Sequence, residues 1–207
     1  GTATLCVHED AIKPNKKVAI VDDILATVNI IKNSNIPHEF RTTIISEFQT
    51  EEDMKNTAKS VANLHPDLVK IHLLHVISDT PLAKMYERGE YTPQSIEEAV
   101  EISAKLYRFF KDNDIEILRI GLPDSRDLKE NYIAGAYHPS LGETVISRDI
   151  LSRLEKELGE STDICVNPRF LSKFNGNRKC NIEYFEKKGI KLNIIPDKNT
   201  EEYKICR

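Results

Sequence analysis

Apolar positions along residues 18–122 come in blocks that alternate between two periods. Val18-Ala19-Ile20-Val21 is a continuous apolar run ended by Asp22-Asp23, which predicts a short buried strand stopping at an acidic loop. Ile24, Leu25, Val28 and Ile31 follow at helical spacing as far as Asn33-Ser34-Asn35, completing one β-α unit. Arg41 to Ser46 is rich in β-branched residues and reads as a strand. Thr50 is placed to cap an amphipathic helix over Glu51 to Leu64, whose acidic first turn suits the helix dipole.

Leu68 to Ile77 is the most apolar stretch and predicts one long strand. Asp79-Thr80-Pro81 then opens a short helix through Glu87, because proline fits a first helical turn. Ser95 to Lys111 predicts a long helix, with Glu97, Glu98 and Glu101 early and Lys105, Arg108 and Lys111 late. Ile115 to Leu122 is the next strand, and Pro123 to Gly142 reads as a looser connection. Beyond it come a helix near Glu143 to Leu158, a strand at Asp163 to Val166, a helix, a second helix over Asn181 to Lys188, and a strand at Ile190 to Ile195.

Strands alternating with helices predict an α/β fold of parallel β-α units, as a partial barrel or an open sheet. A small α+β subdomain follows it. The expected boundaries are a leading fragment over residues 1–35, an α/β region over 36–160 and a basic C-terminal subdomain over 161–207.

With 207 residues, 40% hydrophobic and 30% charged, the chain can bury a substantial core and has a globular rather than disordered composition. Its apolar runs are too short to span a bilayer, so a cytoplasmic protein with no membrane association is expected. Cys6, Cys165, Cys180 and Cys206 are scattered without a CxxC pair, and the expectation is four free thiols with no metal site.

The net charge of −4 hides a local opposite. Between Arg169 and Lys191, seven basic residues against Glu183 and Glu186 leave +5, the electrostatic footprint wanted for phosphate contact. Elsewhere the candidates are sparse. Asp22 and Asp23 close a parallel strand where open sheets bind ligands, but a solvated acidic turn capping the next helix is the preferred reading of them. His72 and His75 have opposite parity on one strand, which argues against a shared metal. His138 lies alone in a loop. No Ser/His/Asp or Cys/His grouping can be read from local spacing, so no catalytic residue and no cofactor is assigned.

Several motifs resemble known families. Leu68-Val-Lys-Ile-His-Leu-Leu-His-Val-Ile77, Asp79 to Tyr91, Ile96-Glu-Glu-Ala-Val100, Leu118-Arg-Ile-Gly-Leu122, Ala134-Gly-Ala-Tyr-His-Pro-Ser-Leu-Gly-Glu143 and Val166 to Lys179 are similar to the C-terminal half of radical S-adenosylmethionine proteins. The likeness is to proteins related to the Elongator catalytic subunit and to oxygen-independent coproporphyrinogen oxidase. That family holds a [4Fe–4S] cluster on a CxxxCxxC loop, a spacing this sequence lacks. Gly1 to Leu5, Asp10 to Pro14 and Val18 to Thr27 resemble adenine phosphoribosyltransferases. That likeness implies a remnant nucleotide site at Asp22, Asp23, Ala26 and Thr27, with Val28-Asn29 where the family has two glycines for its phosphate cradle. Ile36 to Ile44 resembles activating enzymes of anaerobic ribonucleotide reductase.

Phe174-Asn-Gly-Asn-Arg-Lys-Cys-Asn-Ile182 resembles the GXXG loop of KH modules, with Lys179 in place of the second glycine. It implies RNA contact at Lys173, Gly176, Arg178 and Lys179. The sequence as a whole therefore reads as a mosaic. It is expected to be a noncatalytic binding protein on a radical-SAM-like scaffold, contacting a protein partner or RNA. Two alternatives stand beside that reading: an enzyme fragment with residual S-adenosylmethionine or nucleotide binding, and an inhibitor or antitoxin that neutralises a partner.

Overall fold

The computed structural model describes residues 18–21, 38–47, 50–123, 125–159 and 161–206. Its first layer is a parallel sheet built from β1 (Val18–Val21), β2 (His38–Ile45), β3 (Leu68–His72) and β5 (Glu116–Ile120), in that spatial order. The expected α/β class holds, in its open-sheet form among the described residues. Register runs from Val18 opposite His38 to Ile45 opposite His72. Between β3 and β5 the register slips, so that Lys70 faces Arg119 and Leu118 is the extra residue.

Helix α1 (Glu51–Asn63) starts where the Thr50 hydroxyl accepts from the Asp53 amide at 3.1 Å. The Thr80 hydroxyl likewise caps α2 (Pro81–Glu87), accepting from Ala83 at 3.2 Å. Ser95 and Glu98 form a reciprocal capping box on α3 (Ile96–Asp112), with amide bonds of 3.2 and 2.9 Å. All three begin where local side-chain chemistry satisfies the orphan amides of a first turn. Helix α3 then buries Val100, Leu106, Tyr107 and Phe110 against Val69 and Ile71 of the sheet.

The single strand expected over Leu68 to Ile77 is in fact two. The chain leaves the sheet at Leu73-Leu74, and β4 (His75–Ile77) pairs antiparallel with β6 (Tyr132–Gly135). Gly135 permits that crossing, since a Cβ there would stand 3.0 Å from the Leu74 carbonyl oxygen and its φ is +120°. The stretch from Pro123 to Gly142 is also more ordered than expected, holding α4 (Arg126–Asn131) as well as β6.

Helix α5 (Leu141–Glu157) lies against α3. The C-terminal layer then follows as β7 (Asp163–Val166), α6 (Leu171–Asn175), a 3₁₀ turn over Asn177–Lys179, α7 (Cys180–Lys187), β8 (Asn193–Pro196) and β9 (Tyr203–Ile205). β7 is central, parallel to β8 and antiparallel to β9. Its core joins Ile164, Val166, Phe174 and Phe185 to Ile150, Leu151 and Leu154 of α5. Ile146 of α5 packs against both cores.

The expectation of free thiols is corrected. β9 brings Cys206 alongside β7, where it is disulfide-bonded to Cys165, with 5.8 Å between their Cα atoms. Among the described residues Cys180 alone is a free cysteine, and it is exposed. Among them, too, no helix is long and apolar enough to cross a membrane.

Candidate nucleic-acid interface

The basic stretch sits on a strand-helix-turn-helix-strand unit, β7-α6-turn-α7-β8. Phe174 and Phe185, each 1% exposed, anchor the two helices in the second core. The turn between them is held from below by Asn181, which is 4% exposed. Its Nδ2 donates to the Ser147 carbonyl at 3.1 Å, to Ser147 Oγ at 3.0 Å and to the Phe174 carbonyl at 2.9 Å. One amide thus fastens α7 to α5 and α6 together. Sequence reasoning passed over Asn181, because an asparagine in a helix's first turn is ordinarily a solvent-side residue.

Gly176 enters the turn at φ 74° in a space without room for a side chain. A Cβ there would meet Cys180 Sγ at 2.5 Å and Ser147 Oγ at 2.9 Å. Arg178 and Lys179 follow with φ of 51° and 62°. Two successive non-glycine residues in the left-handed region cost roughly 1–2 kcal/mol each, and such strain concentrates at functional loops. The turn holds both side chains outward: Arg178 and Lys179 are exposed, and neither forms an ion pair among the described residues. The half-buried Lys173 lays its ammonium 4.8 Å from the centre of the Phe170 ring. A cavity of about 100 Å³, lined by Glu143, Ser147, Lys173, Gly176 and Asn177, separates the turn from the start of α5.

The remaining basic residues divide in two. Lys188 is ion-paired with Glu155 and bonded into the Tyr184 corner, which raises its pKa through the Glu155 hydrogen bond. Arg169, Lys187 and Lys191 are exposed, with no ion pair among the described residues. The structure thus brings Lys173, Gly176, Arg178 and Lys179 together around one turn, with unneutralised charge facing solvent. That arrangement can hold a polyanion by its backbone.

The other candidates are dispersed. Asp22, Asp23, Ala26 and Thr27 lie outside the described residues. His72 ends β3 and His75 begins β4, so strand parity does not govern them. His75 is 7% exposed and packs edge-on to Tyr132 and Tyr137. Among the described residues no group of three or more His, Cys, Asp or Glu could hold a metal.

Residues 66–152 match the family described as Radical_SAM C-terminal domain. The chain is similar to the tRNA uridine(34) acetyltransferase of Methanocaldococcus jannaschii, at 28% identity over 99 residues, 46% of this chain and 18% of that protein. It is also similar to adenine phosphoribosyltransferase of Streptococcus thermophilus, at 59% identity over 32 residues, 16% of this chain and 19% of that enzyme. A solved structure of the archaeal Methanocaldococcus infernus Elp3, with its N-terminus deleted, aligns with a TM-score of 0.43 and 20% identity. That alignment covers 81% of this chain and 32% of the other. The chain spans only 18% and 19% of the length of these two curated relatives. Residues 66–152 are thus similar to a radical SAM C-terminal domain, and a short stretch of the chain is similar to phosphoribosyltransferases.

Proposed function

We propose that this chain is a noncatalytic RNA-binding protein built on a radical-SAM-like scaffold, contacting the phosphate backbone through Lys173, Arg178, Lys179 and the Gly176 turn. The observation that carries the reading is the pairing of strain with charge: Arg178 and Lys179, both left-handed, stand exposed and unneutralised over a turn that Asn181 fixes. A purely structural turn would relax toward glycine at these positions, because side chains there are costly. The turn between two helices resembles the loop of KH modules, which clamps the nucleic-acid backbone. A relative that bears the name of a tRNA-modifying enzyme is in keeping with this ligand class.

The test is fluorescence anisotropy with a structured RNA across a salt series. Affinity is expected to fall with salt. Arg178→Ala with Lys179→Ala is expected to weaken binding about tenfold and to reduce the salt slope by about two, one for each lost phosphate contact. Salt-independent binding, or binding untouched by the double substitution, overturns the reading. If RNA fails to bind while a protein co-purifies and covers the same turn, the surface belongs to a protein partner.

A further inference from the structure

A second cavity, of about 30 Å³, opens beside the carboxyl ends of β3 and β5, lined by His75, Gly121, Tyr137, His138 and Gly142. The Gly121 amide bonds to the Ile71 carbonyl at 2.8 Å and so keeps the two strand ends together there. The carboxyl ends of parallel strands are where α/β sheets most often take ligands.

The two imidazoles in this cavity have opposite hydrogen-bonding polarity. His75 Nδ1 lies 2.8 Å from the Leu73 carbonyl, which can only accept, so that nitrogen carries the proton. Its Nε2 is left as a bare acceptor with no partner among the described residues, on a ring that is 7% exposed. Burial holds the pKa of His75 below the usual histidine range, which keeps that acceptor available at neutral pH. At His138, the Ser140 amide donates to Nδ1 at 3.1 Å. The neutral ring therefore bears its proton on Nε2. One imidazole accepts where the other donates.

Helix α5 adds further donors. Ser140 makes no side-chain cap on it, and the amides of Gly142 and Glu143 have no acceptor among the described residues. A carboxylate or a phosphate diester, the form phosphate takes in an RNA backbone, would suit the amides but has no proton to offer His75 Nε2. A neutral group presenting an N–H next to a C=O satisfies both.

We propose that this cavity binds the lactam edge of a heterocyclic base. His75 Nε2 accepts the ring N–H, while His138 Nε2–H and the Gly142 amide donate to the carbonyl. At about 30 Å³ the cavity has room only for that polar edge, so the rest of the ring stays outside it. The choice of a base as ligand rests on the RNA reading, which it extends. The first turn of α5 borders both cavities, through Glu143 on one side and Gly142 on the other. A backbone held at the basic turn could thus place a base here.

The experiment follows the histidine ring C–H signals of the full chain by NMR during titration with inosine, 1-methylinosine and dimethyl phosphate. Inosine is expected to move the His75 and His138 signals. 1-Methylinosine, which lacks the N–H, is expected to bind at least about tenfold more weakly, and dimethyl phosphate is expected to leave both signals in place. His75→Phe is expected to abolish the inosine response; if that variant does not fold, the methylation contrast on the unaltered chain decides. No inosine response, an equal response to both nucleosides, or a response to dimethyl phosphate overturns the proposal. RNA affinity is measured separately. An inosine response without RNA binding keeps this site and removes the RNA reading, and the converse result does the opposite.

Discussion

Asn181 reaches across 34 residues of chain to Ser147 and bonds both its backbone carbonyl and its hydroxyl, at 3.1 and 3.0 Å. The pair is buried, so neither partner has water to fall back on. Asn181→Leu takes the buried side-chain donor away from Ser147 Oγ and from the Phe174 carbonyl in the last turn of α6. Each orphaned buried group costs about 1–3 kcal/mol, and the expected loss is about 2–4 kcal/mol by urea denaturation. RNA affinity is expected to fall with it, although the Asn181 side chain faces away from solvent.

Gly176→Ala introduces a methyl where Cys180 Sγ and Ser147 Oγ already stand within van der Waals range, on a backbone at positive φ. Overpacking and left-handed strain together are expected to cost about 2–4 kcal/mol, read as a lower urea midpoint. A midpoint equal to that of the unaltered chain would show that the turn is looser than its geometry.

Arg178→Gly with Lys179→Gly separates stability from binding. Both positions are left-handed and exposed, so glycine relieves strain without removing a buried contact. Stability is expected to rise by about 1 kcal/mol or more while salt-dependent RNA affinity falls. A drop in both would mean that the side chains act in the fold.

His75 and His72 give stability a pH dependence of definite sign. Burial lowers both pKa values, chiefly through desolvation, and at His72 Lys70 and Arg119 add repulsion. As pH falls through the ordinary histidine value near 6.5, the unfolded chain takes up protons that the folded chain does not. Stability is therefore complete above that value and is lost below it, by at most about 1.4 kcal/mol per pH unit for each ring. Urea midpoints at about pH 7.5 and about pH 5.5 should differ less for His75→Gln than for the unaltered chain.

What the sequence disclosed and what it withheld follow from the range of the interactions involved. Thr50, Thr80 and Ser95 cap helices through amides three residues away, so their signal is local and legible. The break at Leu73-Leu74 is hidden because both flanks are apolar and the cause lies at Gly135. The Cys165–Cys206 bond spans 41 residues, and only the return of β9 alongside β7 reveals it. The charge of the basic turn was plain in composition. The residue that shapes the turn, Asn181, was not, because its partners lie on two other helices.

Helix α5 supplies Val145 to the first core and Ile150 and Leu154 to the second, with Ile146 shared. A cut after residue 160 would strip the C-terminal layer of one wall and leave its phenylalanines facing solvent. The smallest piece that can be transplanted with the basic turn intact therefore begins at Leu141. Recombination that respects folding must inherit helix and turn as one cassette.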